Sequence, residues 1–217
     1  DFDLDYGIHS IIKELFGHLA PQPYYLRGFS ASGCELLGYG SHDLTALKEY
    51  AMTFADPSVY QLILWDVCAE KKMPDSFKNG QQLRFEVRVC PVKRSSNTDI
   101  LSNKPKGVIR EYDAYLSRQD KSLTRSQVYV QWIKRILNEK GGVEILEASL
   151  ERFMLKEFSM QRRNRDRSLQ TLGSRPDVTI CGLLQINDKD LFRETLANGV
   201  GRHKAFGFGM MLLKPVN

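Results

Sequence analysis

Apolar residues recur at helical spacing in four segments of the chain, which predicts four amphipathic helices. These segments are 5–19, 43–54, 126–138 and 190–197. The first has apolar residues on one stripe and ends before Pro21, which cannot continue a helix. Asn187 or Asp188 is expected to cap the last one.

Alternating or continuous apolar runs between these helices predict the strands. The predicted strands are 24–29, 35–39, 59–69, 83–89, 143–158, 178–186 and 206–213. Ser-Ala-Ser-Gly lies between the first two and indicates a hairpin turn. The polar, basic stretch from 93 to about 118 is expected to be a long loop.

The order of these elements predicts two domains. The segment 71–80 is polar and contains Pro and Gly, so we place a domain boundary there. The elements after it follow the order β-α-β-β-α-β, which is ferredoxin-like. Those before it follow α-β-β-α-β, and because the chain begins without Met, we expect a first strand to be missing. The predicted fold class is α+β, with two tandem ferredoxin-like (βαββαβ) domains at 1–72 and 81–217.

Composition points to a globular protein with a polyanionic partner. Of the 217 residues, 42% are hydrophobic and 26% charged, and the 31 Lys and Arg against 26 Asp and Glu raise the pI to about 9.0. The four cysteines are far apart, with no histidine at metal-ligand spacing, which is typical of buried thiols in a reducing cytosol. No apolar run approaches the roughly 20 residues that span a bilayer, so we expect a cytoplasmic protein without membrane contact.

A strongly basic segment lies between the last two long predicted strands. Its five arginines in fourteen residues are Arg162, Arg163, Arg165, Arg167 and Arg175. Guanidinium groups bind phosphates in a bidentate manner, so a basic hairpin here suits the groove of a nucleic-acid stem. A solvated charged loop is the structural alternative.

A glycine-rich stretch follows the last predicted helix. Gly199, Gly201, Gly207 and Gly209 permit positive φ and close approach of the backbone to an RNA strand. A phosphate loop for a nucleotide cofactor is not indicated, because the G-x-x-x-x-G-K-[ST] pattern is absent and the helix precedes the glycines. The structural alternative is a glycine helix cap at Gly199 followed by a tight turn.

Tyr6 and His9 are three residues apart in the first predicted helix, so both side chains lie on one face. Cleavage of RNA by its own 2′-hydroxyl needs a base for that proton, an acid for the 5′-oxygen and a group that holds the phosphate, but no metal. An imidazole suits either proton transfer. A structural histidine is the common alternative, and the other three histidines have no partner at metal or triad spacing.

Four motifs together resemble the CasE family of CRISPR repeat endoribonucleases, the crRNA-processing subunits of Cascade in the RAMP superfamily. They are Tyr6-Gly-Ile-His9, the strand 83–93, Gly182-Leu-Leu-Gln-Ile-Asn-Asp188 and the loop 199–209. Their order and spacing agree with the family along nearly the whole chain. The glycine pattern of the last motif is the most specific, because it characterises the wider group of repeat-associated RNA-binding proteins. The segment 95–125 matches no part of the family that we can place.

The resemblance implies a fold, an activity and partners. It implies two ferredoxin-like domains and metal-free cleavage at the 3′ base of the repeat stem-loop, with 5′-hydroxyl and 2′,3′-cyclic phosphate ends. The product would stay bound, other Cascade subunits would be partners, and no cofactor would be needed. It assigns His9 as general acid or base and Tyr6 as a positioning group that can share in proton transfer. The RNA-binding residues would be the arginines from Arg162 to Arg167, the four glycines, Lys93, Arg202 and Lys204.

Two alternatives remain open at this level. A repeat-RNA-binding subunit without activity would have the same fold and basic hairpin but no productive pairing of Tyr6 with His9. A general single-strand RNA-binding module would carry aromatic residues at alternate positions of a strand, of which Ala205-Phe-Gly-Phe is a partial match.

Overall fold

The computed structural model of the chain describes residues 4–30, 33–74, 76–95, 110–161 and 169–216. In the N-terminal half the elements are α1 (Leu4–Phe16), β1 (Tyr24–Ser30), β2 (Gly33–Gly38), α2 (Leu44–Phe54) and α3 (Pro57–Tyr60). In the C-terminal half they are β3 (Gln82–Val89), β4 (Val92–Ser95), β5 (Arg110–Asp113), α4 (Arg125–Lys140), β6 (Val143–Gln161), β7 (Leu169–Ile186), α5 (Lys189–Asn198) and β8 (Met211–Pro215). Short 3₁₀ helices occupy Gly17–Leu19, Trp65–Val67 and Lys204–Phe206.

The C-terminal half is built on an antiparallel sheet with the strand order β6-β7-β3-β8. Helix α4 connects β3 to β6, and α5 connects β7 to β8, so the series is β-α-β-β-α-β as predicted. Alternate residues of β3, such as Val87, pack with Ile133 of α4 and Phe192 of α5 in one buried core. Asp188 caps α5 by accepting bonds from two backbone N–H groups, as one of the two predicted caps.

The N-terminal half has a separate hydrophobic core. Helix α1 contributes Ile12 and Leu15, the β1–β2 hairpin contributes Tyr24 and Leu26, and α2 contributes Ala51. The two helices and the hairpin therefore follow the predicted order. They pack together without sharing the core of the larger sheet.

The predicted strand at 59–69 is wrong. The chain there forms α3 and a 3₁₀ turn at Trp65–Val67 instead. Asp56 begins the helix because its carboxylate accepts bonds from the backbone N–H and hydroxyl of Ser58, and Pro57 stands at the first turn. A helix-start signal directly before the apolar run therefore outweighs the strand propensity of the run.

Three further boundaries differ from the sequence prediction. The basic loop expected from 93 to about 118 contains the strands β4 and β5, which pair with each other, while 96–109 lie outside the described residues. Strand β7 begins at Leu169 instead of 178, because its polar first half pairs with β6 alone. The last strand begins at Met211 instead of 206, since Gly207 and Gly209 have positive φ and interrupt an extended backbone.

A buried ionic network joins the two halves. Arg88 of β3 donates from Nε and Nη2 to the carboxylate of Asp177 on β7, at 2.9 and 2.7 Å. The same Nη2 lies 3.1 Å from Asp5 Oδ2 in the first turn of α1, and Lys156 Nζ lies 2.6 Å from that oxygen. Charges taken out of water need such partners. The network therefore holds the start of α1 against the C-terminal sheet.

Candidate active site

Tyr6 and His9 lie one turn apart on α1, and both side chains are partly exposed. The stripe of the helix next to this face, with Ile12 and Leu15, is buried in the N-terminal core. Burial of that stripe fixes the rotation of the helix. It turns the face with Tyr6 and His9 toward the C-terminal half.

His9 packs on the glycine-rich loop. Its ring centroid lies 5.3 Å from that of Phe206, and its imidazole shares a hydrogen bond with the backbone of Ala205. Burial lowers the pKa of His9 below its usual 6.5, the charge of Lys13 lowers it further, and the bond to Ala205 acts in the opposite direction. The imidazole is therefore mostly neutral at pH 7.

Tyr24 supports the same loop from beneath. Its hydroxyl donates a bond of 2.9 Å to the carbonyl oxygen of Ala205, and its ring is buried. Gly207 lies directly over that ring, where an added Cβ would be 3.1 Å from Cε2 of Tyr24. Burial raises the pKa of Tyr24, so the hydroxyl keeps its proton for this bond. The backbone to which His9 bonds is thus held in place by a buried phenol.

The four glycines of the loop are needed by the packing of the protein itself. All have positive φ, from 70° at Gly199 to 87° at Gly209. A Cβ added at Gly201 would lie 2.9 Å from the ring of Trp132. A Cβ added at Gly209 would lie 2.5 Å from the carbonyl oxygen of Val200. Gly199 also forms the C-cap of α5, as the structural alternative predicted. A contact between these glycines and RNA remains a prediction.

A cluster of charges lies where the loop meets the β4–β5 hairpin. Glu111 of β5 accepts from Arg202 Nε at 2.5 Å, and its Oε2 lies 2.7 Å from Arg175 Nη1 and 2.8 Å from His203 Nε2. The contact with His203 contributes most to lowering the pKa of Glu111, and the two guanidinium groups lower it further, to about 2. The carboxylate is therefore ionised at neutral pH.

The other predicted RNA-binding residues are distributed around this loop. Lys93 is exposed on β4, and Lys204 opens the 3₁₀ turn that carries Ala205. Arg202 and Lys204 belong to the glycine-rich loop, and His9 packs against it. Lys93 lies on the neighbouring strand pair of β4 and β5. Four predicted contacts, Arg162, Arg163, Arg165 and Arg167, lie outside the described residues.

Strands β6 and β7 lead to that basic segment. They remain paired from Val143 with Ile186 to Gln161 with Leu169, well past the end of β3, which pairs with β7 only as far as Val178. The arginines at 162–167 follow the last described residue of β6 in sequence, and the basic hairpin that they were expected to form lies outside the described residues.

Sequence reasoning missed three residues that act on the candidate site. Lys13 follows His9 by four positions, a helical spacing that could have identified it. Tyr24 and Glu111 had no such signal, because the loop residues that they contact are far away in sequence. Long-range pairing of this kind depends on the fold.

Two classes of site find no support in the described part of the chain. No group of three or more His, Cys, Asp or Glu side chains there could hold a metal ion. None of the helices described there is long and apolar enough to cross a membrane.

The cysteines are free, and burial raises the pKa of the Cys90 thiol to about 12.

Comparison with solved structures shows the fold. The chain matches Cas6e from Escherichia coli K-12 at 16% identity and a TM-score of 0.61, over 98% of this chain and 92% of that one. It matches Thermus thermophilus Cse3, bound to an RNA representing a pre-cleavage complex, at 21% identity and a TM-score of 0.56, over 97% and 89%. A chain of a CRISPR RNA-guided surveillance complex matches at 17% identity and a TM-score of 0.57, over 98% and 90%.

These matches cover both halves of the chain and confirm the predicted fold class. A comparison with curated protein sequences gave no match. A family model described as CRISPR associated protein matches residues 1–215, which is nearly the full length. The chain therefore belongs to the CRISPR associated protein family.

Proposed function

We propose that this protein is a metal-independent endoribonuclease that cleaves CRISPR precursor RNA at the 3′ base of the repeat stem-loop. The observation that carries the proposal is the setting of His9, an imidazole that is partly buried, bonds to Ala205 and stands on one helix face with Tyr6 and Lys13. Similar folds include Cse3 bound to RNA and a chain of a CRISPR RNA-guided surveillance complex. By analogy, the partners are the repeat stem-loop and other Cascade subunits.

In this mechanism the RNA supplies its own nucleophile. One ring nitrogen of His9 donates to the carbonyl of Ala205, so the other nitrogen has a free lone pair and acts as the base. It takes the proton of the 2′-hydroxyl as that oxygen attacks the adjacent phosphorus. The bond from phosphorus to the 5′-oxygen then breaks, which leaves a 2′,3′-cyclic phosphate.

The remaining groups on the helix face complete the reaction. The ammonium of Lys13 lies close enough to His9 to lower its pKa, and it would hold the negative phosphate during attack. Tyr6 positions the phosphate and can pass a proton to the departing 5′-oxygen, which becomes a hydroxyl. This division of roles requires both Tyr6 and Lys13 beside the imidazole.

The C-terminal half provides the binding surface for the stem. The arginines at 162–167 would enter the groove at the end of the β6–β7 ribbon, where guanidinium groups grip phosphates. Lys93, Lys204, Arg202 and the backbone of the glycine loop would follow the strand toward the cut. In this proposal residues 1–72 carry the catalytic pair and residues 81–217 carry the RNA-binding surface.

The test uses the full chain with a labelled stem-loop repeat RNA in EDTA, next to an RNA with a 2′-deoxy sugar at the expected cut site. We expect one discrete cut in EDTA and none in the 2′-deoxy RNA. His9→Ala should abolish cleavage and leave RNA binding largely intact. Tight binding without any cut by the unmodified chain would instead support the inactive RNA-binding subunit, and equal loss of binding and cleavage in His9→Ala would contradict a chemical role.

A further inference from the structure

The Glu111 carboxylate is held by three groups that would equally hold a phosphate. Arg175 comes from β7, whereas Arg202 and His203 come from the glycine-rich loop. Guanidinium groups make the same kind of charge-assisted, bidentate bonds with carboxylates and with phosphates. These three groups therefore form an anion-binding site, and the anion bound in it is the carboxylate of Glu111.

The surroundings of the cluster carry more positive than negative charge. Arg94 lies directly across the β4–β5 ladder from Glu111, on the same face of the two strands. Arg94, Arg175 and Arg202 together outnumber the one carboxylate that they surround. Such an excess attracts a second anion and favours its exchange with the first.

The cluster also lies beside the proposed path of the RNA. His203 is two residues from Ala205, to which His9 bonds. Arg175 lies on the ribbon, paired with Lys156, on the side that leads to the basic segment 162–168. A strand that runs from the ribbon to His9 would pass this cluster.

We propose that Arg175, Arg202 and His203 form a binding site for one phosphodiester of the RNA backbone, and that Glu111 occupies this site until RNA displaces it. Asp113, two residues after Glu111, is bonded separately by Arg125 and Tyr129. Strand β5 is therefore held without Glu111, and rotation of the Glu111 side chain is sufficient for the exchange. Glu111 would thus keep the loop in place in the free protein and make weak, nonspecific anions poor competitors. This inference rests on the proposed function, since it requires that the protein bind RNA.

The test measures binding of a stem-loop repeat RNA with a 2′-deoxy sugar at the cut site, which prevents cleavage, over a series of salt concentrations. Glu111→Gln should bind about fivefold more tightly, because RNA no longer has to break a partly exposed ion pair. The slope of log Kd against log salt should change little, because RNA makes the same phosphate contact in both proteins once Glu111 is displaced. Glu144→Gln, at an exposed position of β6, is the control for the loss of one negative charge.

Arg175→Gln provides a second measurement that does not depend on the stability of the first variant. It should weaken binding about tenfold and make the salt slope shallower. Arg135→Gln, at an exposed position of α4, is its matched control. Equal affinities for Glu111→Gln and Glu144→Gln, or equal affinities and salt slopes for Arg175→Gln and Arg135→Gln, would overturn the phosphate site. Absence of RNA binding by the unmodified chain would instead overturn the proposed function and this inference with it.

Discussion

The hydroxyl of Tyr24 donates a 2.9 Å hydrogen bond to the carbonyl oxygen of Ala205, the residue whose backbone also bonds the imidazole of His9. Tyr24→Phe removes this bond and leaves the ring in place. We expect cleavage to slow about tenfold, the effect of losing roughly one hydrogen bond's net free energy at the site. Affinity for uncleavable RNA should stay within about twofold, because Tyr24 is buried and cannot touch RNA.

The neighbouring tyrosine provides the control. Tyr25 donates its hydroxyl to Glu86 of β3, away from the loop, so Tyr25→Phe should cleave at the normal rate. Single-turnover rates with saturating protein separate cleavage from binding. A Tyr24→Phe variant with an unchanged rate would show that this bond does not position His9.

Lys13→Gln should raise the pKa of His9. The positive charge of Lys13 disfavours the charged imidazolium, so its removal makes protonation easier. Titration of the His9 ring by NMR in the RNA-free protein would measure the change directly. If His9 is the base, the acid limb of the rate profile moves to higher pH as well. Lys140→Gln, on an exposed part of α4, should leave the titration unchanged.

Gly209→Ala should destabilise the protein more than Gly80→Ala. Both residues have positive φ, at 87° and 83°, which costs a side chain about 1–2 kcal/mol in either place. Only at Gly209 does the added Cβ also meet backbone, 2.5 Å from the Val200 oxygen, and overpacking adds about 1–3 kcal/mol. Urea denaturation would measure the difference, and equal losses of stability would contradict the close packing of the loop.

Arg88→Met should lower the free energy of unfolding by about 3–5 kcal/mol, because it leaves two buried carboxylates with one partner fewer. Its control is Arg27→Met, which breaks an exposed ion pair with Glu35 and should have no measurable effect on stability. Denaturant titration of both variants at pH 7 would measure the two losses in the free energy of unfolding. Lys156 also pairs with Asp5, and Arg152 Nη2 lies 3.3 Å from Asp177 Oδ1. A small loss of stability for Arg88→Met would mean that these two cations are sufficient partners for the carboxylates.

Local signals in the sequence were sufficient for most elements. Asp43 and Asp188 act as the side-chain caps of α2 and α5, and the strict alternation in 83–89 is that of a strand buried on one side. The strand predicted at 59–69 failed because the Asp56-Pro57 helix start was overlooked. The first half of β7 is not predicted from sequence, because residues 169–177 show no apolar alternation.

The candidate site was predictable only in part. The helical spacing of Tyr6 and His9 shows from sequence alone that they share a face. The contact of His9 with Ala205, by contrast, joins residues near opposite ends of the chain, on a helix that the Arg88 network also ties to the sheet. Residues that support a site from another element, such as Tyr24, become visible only when the fold is known.

The β6–β7 ribbon separates two tasks along the same pair of strands. Its inner half is part of the four-stranded sheet and its core, whereas its outer half pairs only within the ribbon. Near the sheet, Asp177 and Lys156 of the outer half belong to the network that docks α1, whereas farther out the two strands pair only with each other. The sequence at its end can diverge to suit a different repeat RNA while the scaffold remains constant, so we expect recognition to evolve faster than the fold in this part of the molecule.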